Sequence, residues 1–132
     1  MVLLLQSLWG WNGSLESASS RASTHGFDGL ECNVVHSCLE RIDAAEVRQL
    51  LGKRRQALIL EITTGGGYTP DLADGPEQHL EQLEALLSRA LAMEPLKINL
   101  IIGSDSWSED VQHRFFKAVL DRIDTCLLYT SP

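Results

Sequence analysis

The run Ala57-Leu58-Ile59-Leu60-Glu61-Ile62 constrains this chain more than any other stretch. It is short for a buried helix, and a strand that is apolar on both of its faces must be covered on both, which is how a strand of a parallel sheet reads. Parallel neighbours cannot be joined by a tight hairpin, so the chain has to cross over, usually through a helix. The remaining sequence is spaced for that plan. Residues 2–7, 27–34 and 97–102 are further apolar, β-rich runs, and each is followed by polar residues and glycine and then by helical spacing. Four βα units are predicted, with right-handed crossovers and a parallel sheet flanked by helices.

The helices carry their own signals. Residues 14–24 place Leu15, Ala18 and Ala22 on one face with Ser14 as N-cap, and Gly26 suits the left-handed residue that closes the helix. Asp43 and Glu46 resemble a capping box ahead of Val47, Leu50 and Leu51, with Gly52 as the expected stop. Pro76 fits a first helical turn, and Leu80, Leu83, Leu87, Ala90 and Leu91 repeat at helical spacing up to Pro95. Ser106 and Glu109 form a second capping-box pattern, and Val111, Phe115, Val119 and Ile123 make the last buried stripe. Gly29 is expected to let its strand run close to a neighbour.

At 132 residues the chain suits one modest domain. Its formal charge of -7, without a basic cluster beyond Lys53-Arg54-Arg55, argues against nucleic acid as a partner. The apolar start lacks a basic leader and is too short for a membrane span, so no membrane partner and a cytoplasmic location are expected. Cys32, Cys38 and Cys126 show neither a disulfide framework nor a metal-ligand spacing. The last seven residues, 126–132, look like the translation of a sequencing-library adapter. They are poor helix formers, and the expectation is that they do not continue the Val111 to Ile123 stripe and pack against nothing, which leaves 1–125 as the domain.

Two closures fit four βα units: an open α/β sheet, or the N-terminal half of an eight-fold (β/α)8 TIM barrel, which the small number of helices favours. Particular residues point the same way. Gly26-Phe27-Asp28-Gly29-Leu30-Glu31, Leu8-Trp9-Gly10, and Ile98-Asn99-Leu100 running into Gly103-Ser104-Asp105-Ser106-Trp107 resemble the sugar phosphate isomerase/epimerase family, over roughly residues 1–125. The resemblance implies a xylose isomerase-like TIM barrel. It also implies an isomerase or epimerase that interconverts aldose and ketose or epimerises next to a ketone, with a divalent metal (Mn, Mg, Co or Zn) in the full-length parent. The family's metal ligands come mostly from later strands, so no metal ligand is assigned here and no cofactor is expected in this chain. Many relatives carry a histidine where this chain has Ile101, which removes one polar substrate contact or moves it elsewhere.

Chemistry in a barrel sits at the C-terminal strand ends, where Trp9, Glu31, Asn33, Thr64, Asp105 and Trp107 are all expected. These are the candidate substrate-binding residues. Glu31 suits hydrogen bonding to a sugar hydroxyl or proton movement, against the alternative of a structurally held carboxylate. Trp9 and Trp107 suit stacking on the C–H face of a sugar ring, against packing under a loop. Asp105 is a site candidate that can equally tie its own turn, and Glu61 reads as a buried structural group. The glycines at 65–67 suggest a lid more than a phosphate nest. His25, His36, His79 and His113 are scattered, with His79 and His113 expected on the outer helical layer and His36 in an exposed loop. No catalytic residue is assigned. The partner expected is a small sugar or sugar phosphate, with self-association of the half barrel. The alternatives are a non-catalytic α/β binding module complete in itself and an endonuclease on the same barrel, the latter wanting strand-end histidines and a basic surface.

Overall fold

The computed structural model describes residues 1–65 and 74–130, the side chains of 127–130 excepted. Strands and helices alternate: β1 Leu5–Ser7, α1 Leu15–Thr24, β2 Gly29–Asn33, α2 Ala44–Lys53, β3 Ala57–Thr63, α3 Pro76–Ala92, β4 Lys97–Ile101 and α4 Glu109–Thr130. The four strands form one sheet in the order β1-β2-β3-β4, and β1, β2 and β3 pair in parallel. The α/β class and the four βα units are as expected. Contacts divide the chain into two units, Met1–Glu61 with Arg89–Asn99 and Ile62–Ser88 with Leu100–Pro132.

In the first unit the helix ends follow one chemical rule. Ser14 caps α1 by accepting from the Ser17 amide at 3.1 Å, and Asp43 caps α2 by accepting from the Glu46 amide at 2.9 Å. After α1 the chain turns through Gly26 at φ +80°, with Gly26 N–H donating to Ser23 O at 3.1 Å and Phe27 N–H to Ala22 O at 2.9 Å. That pair of bonds is a Schellman close. The same close ends α2, where Arg55 N–H donates to Gly52 O and Gln56 N–H to Leu51 O, but there Arg55 holds the left-handed position at φ 53°. Gly52 therefore does not stop α2; it lies inside a helix that runs on to Lys53. At the end of α3, Glu94 takes the same conformation at φ 52°, and Pro95, having no N–H, makes no outer bond.

The sheet register sorts the first unit's side chains by face. Leu30 pairs with Leu58 and Cys32 with Leu60, and all four are buried. The alternate positions Glu31, Asn33, Ile59 and Glu61 are only half-buried. Strand periodicity thus sets one closed face, over which α1 packs on β2 and on α2, against one open face. Gly29 fits its expectation: a Cβ there would lie 2.0 Å from the Ala57 carbonyl oxygen. Behind α1, the fully buried Ser19 bonds the Gln56 carboxamide, and Arg54 reaches Ser19 Oγ at 3.1 Å and Glu16 at 2.8 Å.

Several boundaries differ from expectation. β1 begins at Leu5, not residue 2, and the side chains of Met1 to Leu4 are exposed. α4 begins at Glu109 with Ser108, not Ser106, at its cap: the Val111 amide donates to Ser108 Oγ at 3.3 Å. Ser106 instead bonds Ser104 at 2.7 Å, so the capping-box spacing was satisfied in sequence by a residue that the preceding turn claims. A 3-10 turn at Ser37–Leu39 carried no signal strong enough to be read. The helix α4 runs to Thr130, although its last residues read as poor helix formers, and the packing expected of 127–132 falls outside the described side chains. The lid expected at 65–67 falls, beyond Gly65, outside the described residues. Among the described residues no helix is long and apolar enough to cross a membrane.

Candidate functional site

The open face of the first unit gathers polar side chains at its C-terminal end. Parallel register sets Ser7, Glu31 and Ile59 in one row across three strands, and Asn33 beside Glu61 in the next. Glu31, Asn33 and Glu61 are half-buried and Ser7 is exposed, so two carboxylates, an amide and a hydroxyl share one partly solvated surface. Hydrogen bonds to carboxylates in this setting face less competition from water than they would on a convex surface. Glu61 belongs to this row, whereas its sequence reading made it a buried structural group.

The loop after β1 overlies the same strand end. Leu8 N–H donates to Glu31 O at 2.9 Å, which splices the loop onto β2. Trp9 follows, with its N–H bonded to Ser7 Oγ at 3.3 Å and its side chain 75% exposed. An indole this exposed offers apolar ring surface to the solvent. Trp11, by contrast, is fixed: its Nε1 donates to Ser14 O at 3.1 Å and the Arg21 guanidinium lies 5.7 Å from its ring centroid. Asn33 accepts from Val35 N–H through Oδ1 at 3.0 Å, an Asx turn that sets the direction of the chain leaving β2.

That departing turn holds His36 in one tautomer. Its Nε2 lies 2.9 Å from Leu8 O, a carbonyl that only accepts, so Nε2 carries the proton; Nδ1 then accepts from the Cys38 N–H at 3.0 Å. His36 is half-buried, not an exposed loop residue. It ties the loops after β1 and β2 together.

The second unit places the other three candidates. Thr64 is buried, its Oγ1 accepting from Gly103 N–H at 3.3 Å and lying 2.6 Å from His79 Nδ1. Its hydroxyl is engaged in holding the loop after β4. Asp105 is exposed, because Ser104 and Ser106 tie the turn in its stead. Trp107 packs T-shaped against His79 at 4.9 Å and Phe115 at 5.0 Å between ring centroids. Asp105 and Trp107 line a shallow cleft of about 250 Å³ with Gly103, Gln112 and Phe116.

His79 adds a buried polar group that the sequence reading did not single out. It lies in α3, a helix of the outer layer as expected, yet its side chain is 0% exposed, which the sequence reading did not foresee. Burial pushes its pKa below the ordinary imidazole value, against an opposing pull from Asp74. Among the described residues its Nε2 has no hydrogen-bond partner. The signal was present: His79 precedes Leu83 by one helical turn and Leu87 by two, on the stripe those leucines define.

Among the described residues no three His, Cys, Asp or Glu side chains converge on a point that could hold a metal. Glu31 and Glu61 offer at most two carboxylates to an ion that wants about six oxygens. These residues do not fit the divalent metal that the sequence resemblance implies. No protein-family model, curated protein or solved structure matches the chain.

Proposed function

We propose that this chain is the N-terminal half of a sugar or sugar-phosphate isomerase or epimerase of the TIM-barrel type, and that the row on its open face is its share of the sugar site. The observation that carries the reading is the half-buried Glu31 at the C-terminal end of a strand in an in-order parallel sheet, with Ser7, Asn33 and Glu61 beside it. Strand order supports a barrel, since a doubly wound sheet reverses its order at a switch point and β1-β2-β3-β4 does not. A face open on one side supports half of such a barrel, whose interior the remaining strands would complete.

The chemistry follows from the groups. A ketose or aldose presents vicinal hydroxyls as donors, for which the Glu31 and Glu61 side-chain oxygens are acceptors. Trp9 supplies a flat apolar surface for the ring's C–H face. An isomerase must move a proton between carbons beside a carbonyl, and Glu31 is the carboxylate we propose for that part. Within the second unit, Asp105 and Trp107 form a separate polar and aromatic pair at their own cleft, on a loop that Thr64 holds through the Gly103 N–H.

Saturation-transfer NMR with a panel of aldoses, ketoses and their phosphates tests this. Binding in the millimolar range to at least one ketose or ketose phosphate is expected, with at least a tenfold loss in Glu31→Gln. The absence of transfer from every sugar would sink the proposal. Turnover is not expected from the chain alone with added Mn²⁺, Mg²⁺ or Co²⁺.

A further inference from the structure

In the second unit, the loop after β4 and the first turns of α4 enclose the cleft of about 250 Å³ whose lining includes Ser104, Asp105, Trp107, Gln112 and Phe116. Its floor is aromatic. Gly103 turns at φ +84°, and a Cβ there would stand 3.2 Å from Phe115 Cε1 and 3.4 Å from Trp107 Cζ3, so the loop lies directly on those two rings. Trp107 is half-buried and held edge-to-face on His79 and Phe115. Phe116 lies about 100° round the helix from the buried Phe115. It is 48% exposed and rests T-shaped on Phe115 at 5.5 Å between ring centroids. Two partly open rings therefore flank the cleft.

The polar groups of the lining have one character. Ser104 is spent on its own turn: its Oγ lies 2.7 Å from Ser106 Oγ and accepts from Ser106 N–H at 3.2 Å, and its carbonyl accepts from Trp107 N–H at 3.2 Å. The Asp105 carboxylate is left out of that turn. Among the described residues it makes no hydrogen bond or ion pair. Gln112 donates through Nε2 to Trp107 O at 3.0 Å, which keeps its Oε1 as an acceptor. Among the described residues no Lys, Arg or His side chain lines the cleft, so Asp105 supplies its only formal charge.

We propose that this cleft binds the head group of a small methylated ammonium ion of the choline type, with the Trp107 and Phe116 rings against its methyl groups and the Asp105 carboxylate as its counter-charge. The negative face of an aromatic ring attracts a cation, and Trp is the strongest of the rings in this respect. A methylated ammonium has no N–H to satisfy and spreads its charge over apolar methyl groups, which suits a shallow cleft with more ring surface than acceptors. A phosphate or carboxylate would meet the Asp105 charge with no cation in the lining to offset it. The proposal stands apart from the sugar reading of the first unit, and choline, with a single hydroxyl, offers the row around Glu31 no vicinal pair.

Amide chemical-shift mapping of the full labelled chain, titrated with choline chloride against matched sodium chloride, tests it. The amides of Ser104, Asp105 and Trp107, the Trp107 indole N–H and the Gln112 side-chain amide should move together in one saturable process, with a dissociation constant on the order of 1–10 mM. The alcohol 3,3-dimethyl-1-butanol has the shape of choline without the charge and should bind at least about tenfold more weakly. Asp105→Asn should weaken choline about fivefold, and Phe116→Ala about threefold. Unchanged shifts outside the cleft show that each variant is folded, and the comparison of choline with the alcohol needs no variant. The proposal is overturned if these groups show no saturable shift by about 100 mM choline, if the alcohol binds as tightly as choline, or if folded Asp105→Asn binds choline undiminished.

Discussion

Substituting Gly29 by alanine tests the packing of the sheet where it is tightest. The added Cβ would stand 2.0 Å from the Ala57 carbonyl oxygen and 2.8 Å from the Ala57 nitrogen, where ordinary contact begins at 3.4 Å. Backbone cannot swing aside as a flexible side chain can, so β2 and β3 would have to part locally by about 1.4 Å. The Ala57 N–H to Asp28 O bond, 3.0 Å long, would then be broken. One or two backbone groups left unpaired cost about 1–3 kcal/mol each, and overpacking adds roughly 1–3 kcal/mol. A loss of about 2–9 kcal/mol follows, against a domain total of about 5–15 kcal/mol. Urea unfolding followed by circular dichroism should show the midpoint fall by roughly 2 M, if the variant folds at all. Gly52→Ala is the control: nothing lies within 4 Å of its added Cβ, and inside α2 it should stabilise by about 0.5–1 kcal/mol. A Gly29→Ala midpoint within 0.5 M of wild type, as a rough experimental margin, would refute the close-approach reasoning.

Three further outcomes are expected. Arg55→Gly and Glu94→Gly should each raise the melting temperature by roughly 2–5 °C, since relieving a left-handed non-glycine gains about 1–2 kcal/mol and glycine's extra unfolded entropy returns about 0.5–1; unchanged or lower values would contradict the φ of 53° and 52°. The second unit should lose stability as pH falls below the unfolded imidazole value of 6.5, because neutral His79 is favoured in the fold and the unfolded chain takes up the proton first. The loss should level off below the lowered folded pKa, and His79→Gln should flatten the profile through that window in thermal melts; an unchanged slope would remove His79 as its source. The chain should self-associate across a tenfold concentration range in light scattering, because β1 and β4 are sheet edges and Leu4, Leu96 and Ile101 are exposed; a monodisperse monomer throughout would contradict it.

Much of the architecture was legible because it rests on local chemistry. Ser14, Asp43 and Gly26 act as their residue types predict, and the run from Ala57 read as a strand because its periodicity had no helical alternative of adequate length. What was illegible came from competition between neighbours. Arg55 and Glu94 carry no preference for positive φ, yet the helix closes on them because the next strand must begin at once. Ser106 and Ser108 are chemically equal caps, and only the turn at Gly103 to Trp107 decides between them. The candidate site divides in the same way. Glu31 was visible as a carboxylate ending an apolar run, whereas the Ser7 and Glu61 neighbours depend on register, which a single sequence does not encode residue by residue. The burial of His79 was not read because a histidine is counted as polar, although its spacing from Leu83 and Leu87 put it on the inward stripe of its helix.

The central claim is that the open-face row around Glu31 is a sugar site, and amide chemical-shift mapping on the labelled chain tests it most directly. Titration with whichever ketose or ketose phosphate shows saturation transfer should move the amides of Ser7, Trp9, Glu31, Asn33 and Glu61 in a single saturable process and leave those of α1 still. Saturable shifts confined to helix surfaces, with the Glu31 and Asn33 amides unmoved at full occupancy, would contradict it.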